Sequence, residues 1–390
     1  MVAVLHRGFP FSPARPETAV ERLRALRRPA RHGALIHALA CVARTFAWPF
    51  VAFAVAIRHC PGEPRRAFKA WTLAVRRNVP PVETLLYGLD QPGRAAAAGD
   101  YLYWTDLPSL TLLNAARGAE IAHVQDKYLF AQRCGAAGLP VVPTLAVFSG
   151  RRQLYPEAGF VPDLRSFWVK DLAGKGASGA AAWERGPDNV YRNCHGSSAR
   201  REGLAALLAE QNCIVQPRLE NHPAIPGTGA ACLAALRIVT GVGSGGRARL
   251  VGSNLYLGSR GRSTSGDIVC NVHRSTGTLT GALDLRLGAI PIDSHPETLE
   301  PLIGLDVPFW RDSLDLVLAA HADLFGKFVF LGWDVAMTPA GPILLEANAG
   351  WTALHLQMLD GPLGRTAFGA IVAEVLGGSS EGQEGTSTCA

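Results

Sequence analysis

Two acidic residues and an asparagine near the C-terminal end of the chain have the types and the spacing of a metal site. In the segment WDVAMTPAGPILLEANAG, residues 338–342 are a turn signal between two apolar stretches typical of strands. A hairpin centred on Ala340 places Asp334 opposite Glu346, with their Cβ atoms about 4.5–5.5 Å apart. Asn348 follows on the same strand face as Glu346. Two carboxylates this close repel each other unless a proton or a cation lies between them, so this set predicts a magnesium site completed by water and phosphate oxygens.

The few lysines of the chain indicate where phosphate is bound. The sequence has 33 arginines and only five lysines, and three of the five, Lys127, Lys170 and Lys175, lie in one region. A lysine ammonium is a compact charge on a flexible stem, which suits a phosphate chain better than the planar fork of arginine. The three lysines therefore predict contacts with phosphate, and ordinary surface lysines are the alternative.

A glycine-rich loop of the form G-x-G-x-x-G follows a predicted strand at 166–172. A dinucleotide-binding fold needs a long helix directly after such a loop, but residues 186–189 interrupt the chain seven residues later. A protein kinase needs its lysine on a later strand, together with H-R-D and D-F-G motifs that the sequence lacks. What remains is a strand–loop–strand hairpin whose backbone N–H groups cover phosphates, or a plain flexible turn. The candidate loop residues are Gly174, Lys175, Gly176, Ser178 and Gly179.

The elements that hold these residues change in character along the chain. Residues 1–105 are predicted to be mostly helical, and from Gln125 onward apolar strands alternate with helices. Glycine and serine dominate residues 377–390, which are predicted to be disordered. The predicted helices after residue 125 span 127–137, 201–211 and 310–325, and the predicted strands include 166–172 and 213–219.

The N-terminal region carries most of the positive charge. Residues 1–80 contain fourteen basic and three acidic residues, whereas the rest of the chain is mildly acidic. A basic end of this kind indicates contact with a membrane surface or with nucleic acid, and a solvated arginine-rich helix is the alternative. Nucleic acid is disfavoured because the arginines lack interleaved base-stacking aromatic residues.

The most apolar part of this region is the segment 33–57. Its uninterrupted apolar stretch, residues 45–57, has thirteen residues, and about twenty are needed to span a bilayer. The segment is therefore predicted to be a buried helical hairpin, with a helix lying in the plane of a membrane as the alternative.

The eight cysteines show no C-x-x-C pair and no zinc spacing. Cys213 and Cys270 lie in apolar surroundings typical of small buried residues. The first thirty residues also lack the apolar core of a secretory signal peptide. Reduced thiols and the absence of this signal predict a cytoplasmic protein, with peripheral membrane contact through residues 1–80 as a further expectation.

Taken together, these motifs resemble those of the ATP-grasp superfamily. They are Lys127 in D-K before a G-L-P segment, Lys170 at the end of a strand before a glycine loop, the strand I-V-Q-P-R-L, and the D…E-x-N set. The segments QPRLENHPAI, LAALRIVTG and LLEANAGWTALHLQ are similar to its sugar-transfer-associated branch. The resemblance covers about residues 100–375.

The fold implied by the resemblance is α+β, with two lobes that clasp ATP and a mostly helical, basic N-terminal region at 1–105. The ATP-grasp domain would span residues 106–376, with an N-lobe at about 120–218 and a C-lobe at about 219–376. ATP and Mg²⁺ are the implied cofactors, and two magnesium ions are expected.

The resemblance also implies roles for individual residues. Lys127 and Lys170 would contact the phosphates, and the loop 174–179 would cover them. Arg237 would face the γ-phosphate or the acyl group. Magnesium would be held by Asp334, Glu346 and Asn348, and the nucleoside by Gln216, Pro217, Arg218, Leu219 and Glu220.

The implied reaction is activation of a carboxylate by the γ-phosphoryl group of ATP, which gives an acyl phosphate and ADP. An amine or, less often, a hydroxyl then attacks. Positioning, together with charge neutralisation by magnesium, Lys170 and Arg237, would account for catalysis. The partners would be a small-molecule acid and its acceptor, in the modification of a sugar, a peptide or a natural-product precursor.

Fewer sequence motifs indicate the residues that bind the acid substrate. Arg260, Arg262 and Arg274 are expected to hold the substrate carboxylate, since a guanidinium pairs it in two places, unless they are exposed loop residues. His222 is a candidate catalytic group, with a structural hydrogen-bonding role as the alternative. Two other functions stay open: a kinase-type transfer of phosphate to a hydroxyl at the same site, and a membrane-surface binding module formed by residues 1–80.

Overall fold

The computed structural model of the protein describes residues 16–26, 34–156, 164–174, 180–227, 232–258, 267–286 and 288–377. The predicted disordered tail lies outside these ranges apart from Gly377, which ends the last helix. Six predicted site residues also lie outside them, namely Lys175, Gly176, Ser178, Gly179, Arg260 and Arg262.

Helices dominate the N-terminal part of the described chain, as the sequence predicts. The three later helices that the sequence predicts are also present, each one or two residues shorter at its C-terminal end. The helices are α1 (Ala19–Ala25), α2 (Ala34–His59), α3 (Pro64–Arg77), α4 (Pro81–Leu86), α5 (Leu107–Ala116), α6 (Ala122–Gln125), α7 (Lys127–Ala136), α8 (Arg201–Ala209), α9 (Trp310–Leu324), α10 (Leu354–Asp360) and α11 (Ala367–Gly377).

The strands form two antiparallel sheets of seven strands each, which agrees with the predicted α+β class. The first sheet has the order β2-β1-β7-β3-β4-β5-β6, and the second has the order β12-β11-β10-β9-β8-β13-β14. The strands are β1 (Ala146–Ser149), β2 (Arg152–Tyr155), β3 (Ser166–Asp171), β4 (Ala181–Arg185), β5 (Val190–Asn193), β6 (Ser198–Arg200), β7 (Cys213–Pro217), β8 (Ala235–Val242), β9 (Ala248–Leu257), β10 (Ile268–Val272), β11 (Leu279–Asp284), β12 (Ile290–Pro291), β13 (Phe330–Thr338) and β14 (Gly341–Asn348).

The first sheet buries one face against α8. On β3 the side chains alternate, so Phe167 and Val169 enter the core. The rings of Phe167 and Trp183 stack with their centroids 6.2 Å apart, and Leu204 and Leu208 of α8 complete this core. The alternate residues of β3 are therefore free to line a cavity on the opposite face.

The second sheet is covered on both faces. All residues of β13 are buried. On one face Trp333 packs with Val317 of α9, and on the other Phe330 stacks on Phe368 of α11, with ring centroids 4.4 Å apart. Leu23 of α1 belongs to this second core, so part of the N-terminal region is built into the face of the sheet.

One buried glutamine joins α10 to the N-terminal region. The Gln357 side-chain oxygen accepts hydrogen bonds from the backbone N–H groups of Leu102 (2.8 Å) and Leu363 (3.2 Å). Its amide nitrogen donates to the carbonyl oxygen of Leu102 (2.7 Å) and to the hydroxyl of Tyr87 (3.1 Å). Every polar atom of this side chain is therefore used, which fixes α10 against residues 87–102.

Residues 34–57 of the apolar segment lie in one helix instead of the predicted hairpin. Helix α2 continues through Pro49, and α3 forms the second arm of a hairpin. The indole N–H of Trp71 donates to the carbonyl of Pro49 (2.9 Å), and that of Trp48 to the carbonyl of Ala74 (3.0 Å). One face of α2 is thus buried against α3, but its other face is exposed, so the prediction of burial is wrong for that face. No helix in the described ranges is long and apolar enough to cross a bilayer.

Candidate active site

A cavity of about 560 Å³ lies between the two sheets. Strands β3 and β7 form one wall, and strands β8, β9, β13 and β14 form the other. Helices α6, α7 and α10 and the segment between β14 and α10 also contribute to the lining. The cavity brings together eleven of the predicted site residues: Lys127, Lys170, Gly174, Gln216, Pro217, Arg218, Leu219, Arg237, Asp334, Glu346 and Asn348.

The predicted pairing of the two carboxylates is present, but it arises in a different way. Near the turn, β13 and β14 pair around a two-residue connection, one residue out of the predicted register. A bulge between Leu344 and Glu346 then adds one residue to β14 and brings Asp334 opposite Glu346. Asn348 follows opposite Gly332. The bulge is therefore what places the acids opposite one another.

Arg237 completes this polar cluster from β8, where it pairs directly with Asp334 across the sheet. Its guanidinium donates through Nε and Nη2 to the two carboxylate oxygens of Asp334, the second bond being 2.9 Å long. The Asn348 amide nitrogen donates to Glu346 Oε1 (3.1 Å) and lies 3.5 Å from Asp334 Oδ2. The two acids and the amide are thus in mutual contact.

The pKa values of the two acids are shifted in opposite directions. Burial raises the pKa of Asp334 against the opposing charge of Arg237. Burial also acts to raise the pKa of Glu346, but the Asn348 hydrogen bond and the charges of Lys127 and Lys170 outweigh it and lower that pKa. Glu346 is therefore the carboxylate better held in its charged form, and both acids favour a bound cation.

Lys127 reaches the acids from the start of α7. Asp126 caps this helix by accepting a hydrogen bond from the backbone N–H of Tyr128 (2.8 Å), which fixes the position of its neighbour. The Lys127 ammonium donates to the carbonyl of Gly174 (2.8 Å) and lies 3.9 Å from Glu346 Oε2. It therefore connects the start of the glycine loop to the acidic pair.

Lys170 lines the cavity from the end of β3. It is half-buried, and its ammonium makes no hydrogen bond or ion pair with other residues in the described ranges. Burial lowers its pKa, with the charge of Glu346 opposing this effect. A desolvated cation that lacks a direct partner is costly, so this position favours an anionic ligand.

The cavity is less charged where β7 ends. Gln216 pairs with Trp168 of β3, two residues before Lys170, and Leu219 and Leu233 also line this part. The guanidinium of Arg218 pairs with Glu184 of β4. One part of the cavity therefore suits a flat uncharged ring, and the part around the lysines and acids suits a phosphate chain.

Three predicted residues do not line the cavity. Glu220 is exposed beyond the end of β7. His222 has a structural role, because its backbone N–H donates to Met337 O (2.8 Å) and its Nδ1 accepts from the backbone N–H of Ala224 (3.1 Å). Arg274 lies in the turn after β10 and pairs with Asp360, so the structure does not bring its guanidinium to the site.

Tyr256 of β9 and His355 of α10 line the cavity and form a hydrogen-bonded pair that is not predicted from the sequence. The Tyr256 hydroxyl and His355 Nδ1 are hydrogen-bonded at 3.0 Å, and the guanidinium of Arg237 lies 5.9 Å from the Tyr256 ring centre. Burial raises the pKa of Tyr256 to about 12 and lowers that of His355. The only signal in the sequence is the position of His355 soon after the D…E-x-N set.

The donor set fits Mg²⁺ better than a transition metal. In the described ranges no three His, Cys, Asp or Glu side chains gather into a metal cluster. The available ligands are the oxygens of Asp334, Glu346 and, after a half-turn of its amide, Asn348. Octahedral Mg²⁺ usually keeps several waters and takes one or two carboxylates plus phosphate oxygens, and a site of this composition meets that preference.

Comparison with protein families gives a match to the sugar-transfer associated ATP-grasp model over residues 112–367. This range contains every residue of the cavity described above. A comparison with curated proteins gives no match.

Three solved structures are among those to which the chain is similar. The biotin carboxylase domain of the Hydrogenobacter thermophilus 2-oxoglutarate carboxylase, solved with MgADP, ADP and bicarbonate, is 14% identical with a TM-score of 0.36, covering 65% of this chain and 46% of its own. N5-carboxyaminoimidazole synthetase from Staphylococcus aureus, solved with ADP, is 12% identical with a TM-score of 0.37, covering 65% and 51%. D-alanyl-alanine synthetase A from Vibrio cholerae is 12% identical with a TM-score of 0.38, covering 66% and 65%. This chain thus spans about half the length of the first two structures.

Proposed function

Because the chain belongs to the sugar-transfer associated ATP-grasp family, we propose that it is an ADP-forming ligase that joins a carboxylic acid to an amine or a hydroxyl. The observation that carries this proposal is the meeting of Lys127, Lys170 and Arg237 with two paired acids in one cavity. Three cations and two acids match the charges of a nucleotide with its metal. The six cysteines described by the structure are free thiols, which supports the proposal of a cytoplasmic site of action.

ATP would enter with its adenine at the end of β7. Gln216 to Leu219 would contact the ring through their backbone, and Trp168, Leu219 and Leu233 would surround it. The phosphates would extend toward Lys127 and Lys170, whose ammonium groups neutralise them. The half-buried ammonium of Lys170 would gain the anionic partner that it lacks among the described residues.

Asp334, Glu346 and Asn348 would hold Mg²⁺, and we propose two ions, shared between these side chains and the phosphates. When bound, the metal polarises the phosphoryl oxygens and neutralises charge on them. The protein contributes the fixed positions of its ligands, since all three lie on the paired strands β13 and β14. Arg237 would keep the Asp334 carboxylate in place through its two hydrogen bonds.

In the first step a carboxylate oxygen of the acid attacks the γ-phosphorus. The bond from this phosphorus to the bridging oxygen of ADP breaks, giving an acyl phosphate. Lys170 and Arg237 would stabilise the charge on the phosphoryl group during transfer. Lys170 and Arg237 would also orient the acid and the phosphate and exclude water from them.

In the second step the acceptor attacks the acyl carbon, and inorganic phosphate leaves as the acceptor loses a proton. His355 lines the cavity and is neutral near pH 7, since burial lowers its pKa. His355 Nδ1–H can donate to the hydroxyl oxygen of Tyr256 (3.0 Å), which leaves the unprotonated Nε2 to receive the acceptor proton. We therefore place the acceptor beside His355.

The test is incubation of the protein with Mg-ATP and pooled carboxylic acids, amines and amino sugars, followed by mass spectrometry of the products. The ligase gives ADP and free phosphate in equal amounts, with a product whose mass is that of acid plus acceptor less water. A phosphorylated acceptor without free phosphate would identify the kinase-type alternative. A calorimetric titration without uptake of Mg-ATP would refute both.

A further inference from the structure

The outer face of α2 carries an exposed apolar stripe, formed by Val42, Phe46, Phe50, Phe53 and Ile57. These residues recur every three or four positions, so they lie on one face of the helix. Phe46 and Phe50 are 73% and 78% exposed. At 1.5 Å per residue the stripe is about 22 Å long. Five large apolar side chains in one row form a larger surface than scattered exposed residues do.

The stripe continues onto α3 through aromatic contacts. The ring centroid of Phe53 lies 5.9 Å from that of Trp71, which in turn lies 5.5 Å from that of Phe68. Phe68 is itself exposed. The stripe together with Phe68 is called the hairpin surface below.

Packing holds the hairpin surface outward. On the inner side Ala52 and Ala56 of α2 are fully buried, as is Ala70 of α3. The indole hydrogen bonds of Trp48 and Trp71 fix the two helices to each other. The small inner residues allow close approach, and turning the phenylalanines inward would break both hydrogen bonds and overfill this contact.

Basic side chains flank the hairpin surface. Arg65 and Arg76 lie three residues before and eight residues after Phe68 on α3, which places them beside it, and Arg58 follows the end of the stripe. All three arginines are exposed and form no ion pair among the described residues. The only acidic residue in 34–77 is Glu63, which already pairs with Arg66 (3.2 Å). These three arginines form a positive rim around the hairpin surface, and their charge is not neutralised by acidic residues of the hairpin.

We infer that the hairpin surface docks on an anionic membrane, with α2 lying in the membrane plane. The phenylalanines would enter the boundary between headgroups and acyl chains, and the arginines would meet lipid phosphates. A nucleic acid would meet an uncharged centre instead of a basic one. A second copy of the chain, paired face to face, would bring two positive rims together. A lipid surface is the occupant that satisfies both the apolar centre and the basic rim.

The test is co-sedimentation of the full chain with vesicles of phosphatidylcholine, either alone or mixed in equal parts with phosphatidylglycerol. The wild-type protein should bind the anionic vesicles at least about tenfold more strongly than the neutral ones. The variant F46S/F50S should lose about tenfold or more in binding to the anionic vesicles, because two large apolar side chains no longer enter the boundary. R65Q/R76Q should lose roughly tenfold on anionic vesicles and little on neutral ones.

Leu154→Ser is the matched control, since Leu154 is also an exposed apolar residue but lies on β2 of the first sheet. It should bind vesicles as the wild type does, and near-ultraviolet circular dichroism should show that all variants remain folded. ADP formation should be unchanged in each, so loss of vesicle binding and loss of the proposed ligase activity are distinguishable. Wild-type protein that sediments with neither vesicle, or F46S/F50S that sediments as the wild type does, would overturn the inference. The inference would also be overturned if the wild-type protein formed a dimer in the absence of lipid and F46S/F50S were a monomer. That result would assign the hairpin surface to contact with a second copy of the chain.

Discussion

The cavity and the α2–α3 hairpin each contain groups without a suitable partner, but of opposite character. The cavity has a cation without an ion pair in the described ranges, and the hairpin has apolar side chains in contact with water. In the cavity, the half-buried ammonium of Lys170 forms no hydrogen bond or ion pair with other described residues. On the hairpin, Phe46 and Phe50 are exposed to water although the inner face of the same helix is well packed. A half-buried cation without a direct partner and an exposed apolar stripe both cost free energy, and each cost falls when a ligand of complementary character binds. The two regions thus indicate two different ligands, a phosphate chain and a lipid surface.

The two regions also differ in how they are connected to the rest of the molecule. The cavity is built from strands of both sheets. The hairpin is connected through α4 and residues 87–102 to α10, where Gln357 forms the junction. Changes in one region should therefore leave the function of the other intact, and a change at the junction should reach beyond a single region.

The largest effect is expected from Glu346→Gln. It removes the negative charge opposite Asp334, so Mg²⁺ loses a ligand and Lys127 loses its ionic partner. We expect ADP formation to fall by about three orders of magnitude, as for the loss of a group that stabilises charge directly at the reacting centre. Initial rates of ADP release with saturating substrates measure the effect.

Glu374→Gln provides the control for this change. Glu374 lies on α11, outside the cavity, and pairs with Arg249 (2.8 Å). It should keep nearly the wild-type rate, and both variants should bind anionic vesicles normally. Turnover in Glu346→Gln equal to that in Glu374→Gln would contradict the metal assignment.

The next largest effect is expected from Gln357→Leu, which changes the junction between α10 and the N-terminal region. The buried backbone groups of Leu102 and Leu363 would lose their partners, and each buried unpaired group costs about 1–3 kcal/mol. We expect the free energy of unfolding in urea to fall by about 3 kcal/mol. Gln211→Leu, in the exposed turn after α8, should change it little. Equal stability of the two variants would show that Gln357 does not hold the regions together.

A smaller effect is expected for Lys170→Ala. Removing the ammonium weakens phosphate binding, and a charge-assisted hydrogen bond in this setting contributes about 2 kcal/mol. The apparent ATP requirement should rise roughly thirtyfold. Lys327→Ala removes an exposed lysine outside the cavity and should leave the ATP titration unchanged. A normal titration for Lys170→Ala would mean that this lysine does not contact the nucleotide.

The sequence predicts the site well where its parts are local. The turn signal and the strand pattern predict that Asp334 faces Glu346, although a bulge in β14 is what brings the two acids opposite each other. The D-K pair places Lys127 at the start of a helix capped by Asp126. The alternation on β3 places Lys170 on the cavity face. These features depend on residues close together in the chain.

The sequence does not predict the features that depend on distant packing. The bulge in β14 has no turn residue to mark it, because Leu345 lies within an apolar run. Tyr256 and His355 meet only because α10 packs beside β9, about a hundred residues apart in the chain. Helix α2 is apolar nearly all round, so its sequence cannot show which face remains exposed. The domain boundaries at 105 and 218 stay predictions.

The prediction that reaches the least of the molecule concerns pH and the N-terminal region alone. Glu83 is buried, and its Oε1 accepts hydrogen bonds from the backbone N–H of Trp104 (2.9 Å) and the hydroxyl of Tyr87 (3.4 Å). Its Oε2 has no hydrogen-bond partner among the described residues, and burial raises the pKa of this carboxyl to about 8. The folded protein therefore binds the Glu83 proton more tightly than the unfolded chain does. The resulting stability is fully present below the unfolded pKa of about 4.3 and is lost as the pH rises through about 8.

Glu83→Gln should remove this pH dependence, because the amide keeps the accepting oxygen and has no proton to lose. Urea unfolding between about pH 5 and about pH 9 should show the wild type losing about 4 kcal/mol more than the variant, since each pH unit below the folded pKa contributes about 1.4 kcal/mol. Glu210→Gln, at an exposed ion pair with Arg151, should follow the wild type. Parallel wild-type and Glu83→Gln curves would show that Glu83 stays ionised in the folded protein. Because Glu83 lies far along the chain from the acids of the cavity, ADP formation by Glu83→Gln should match the wild type, which separates a buried acid that serves the fold from the two acids assigned to the metal.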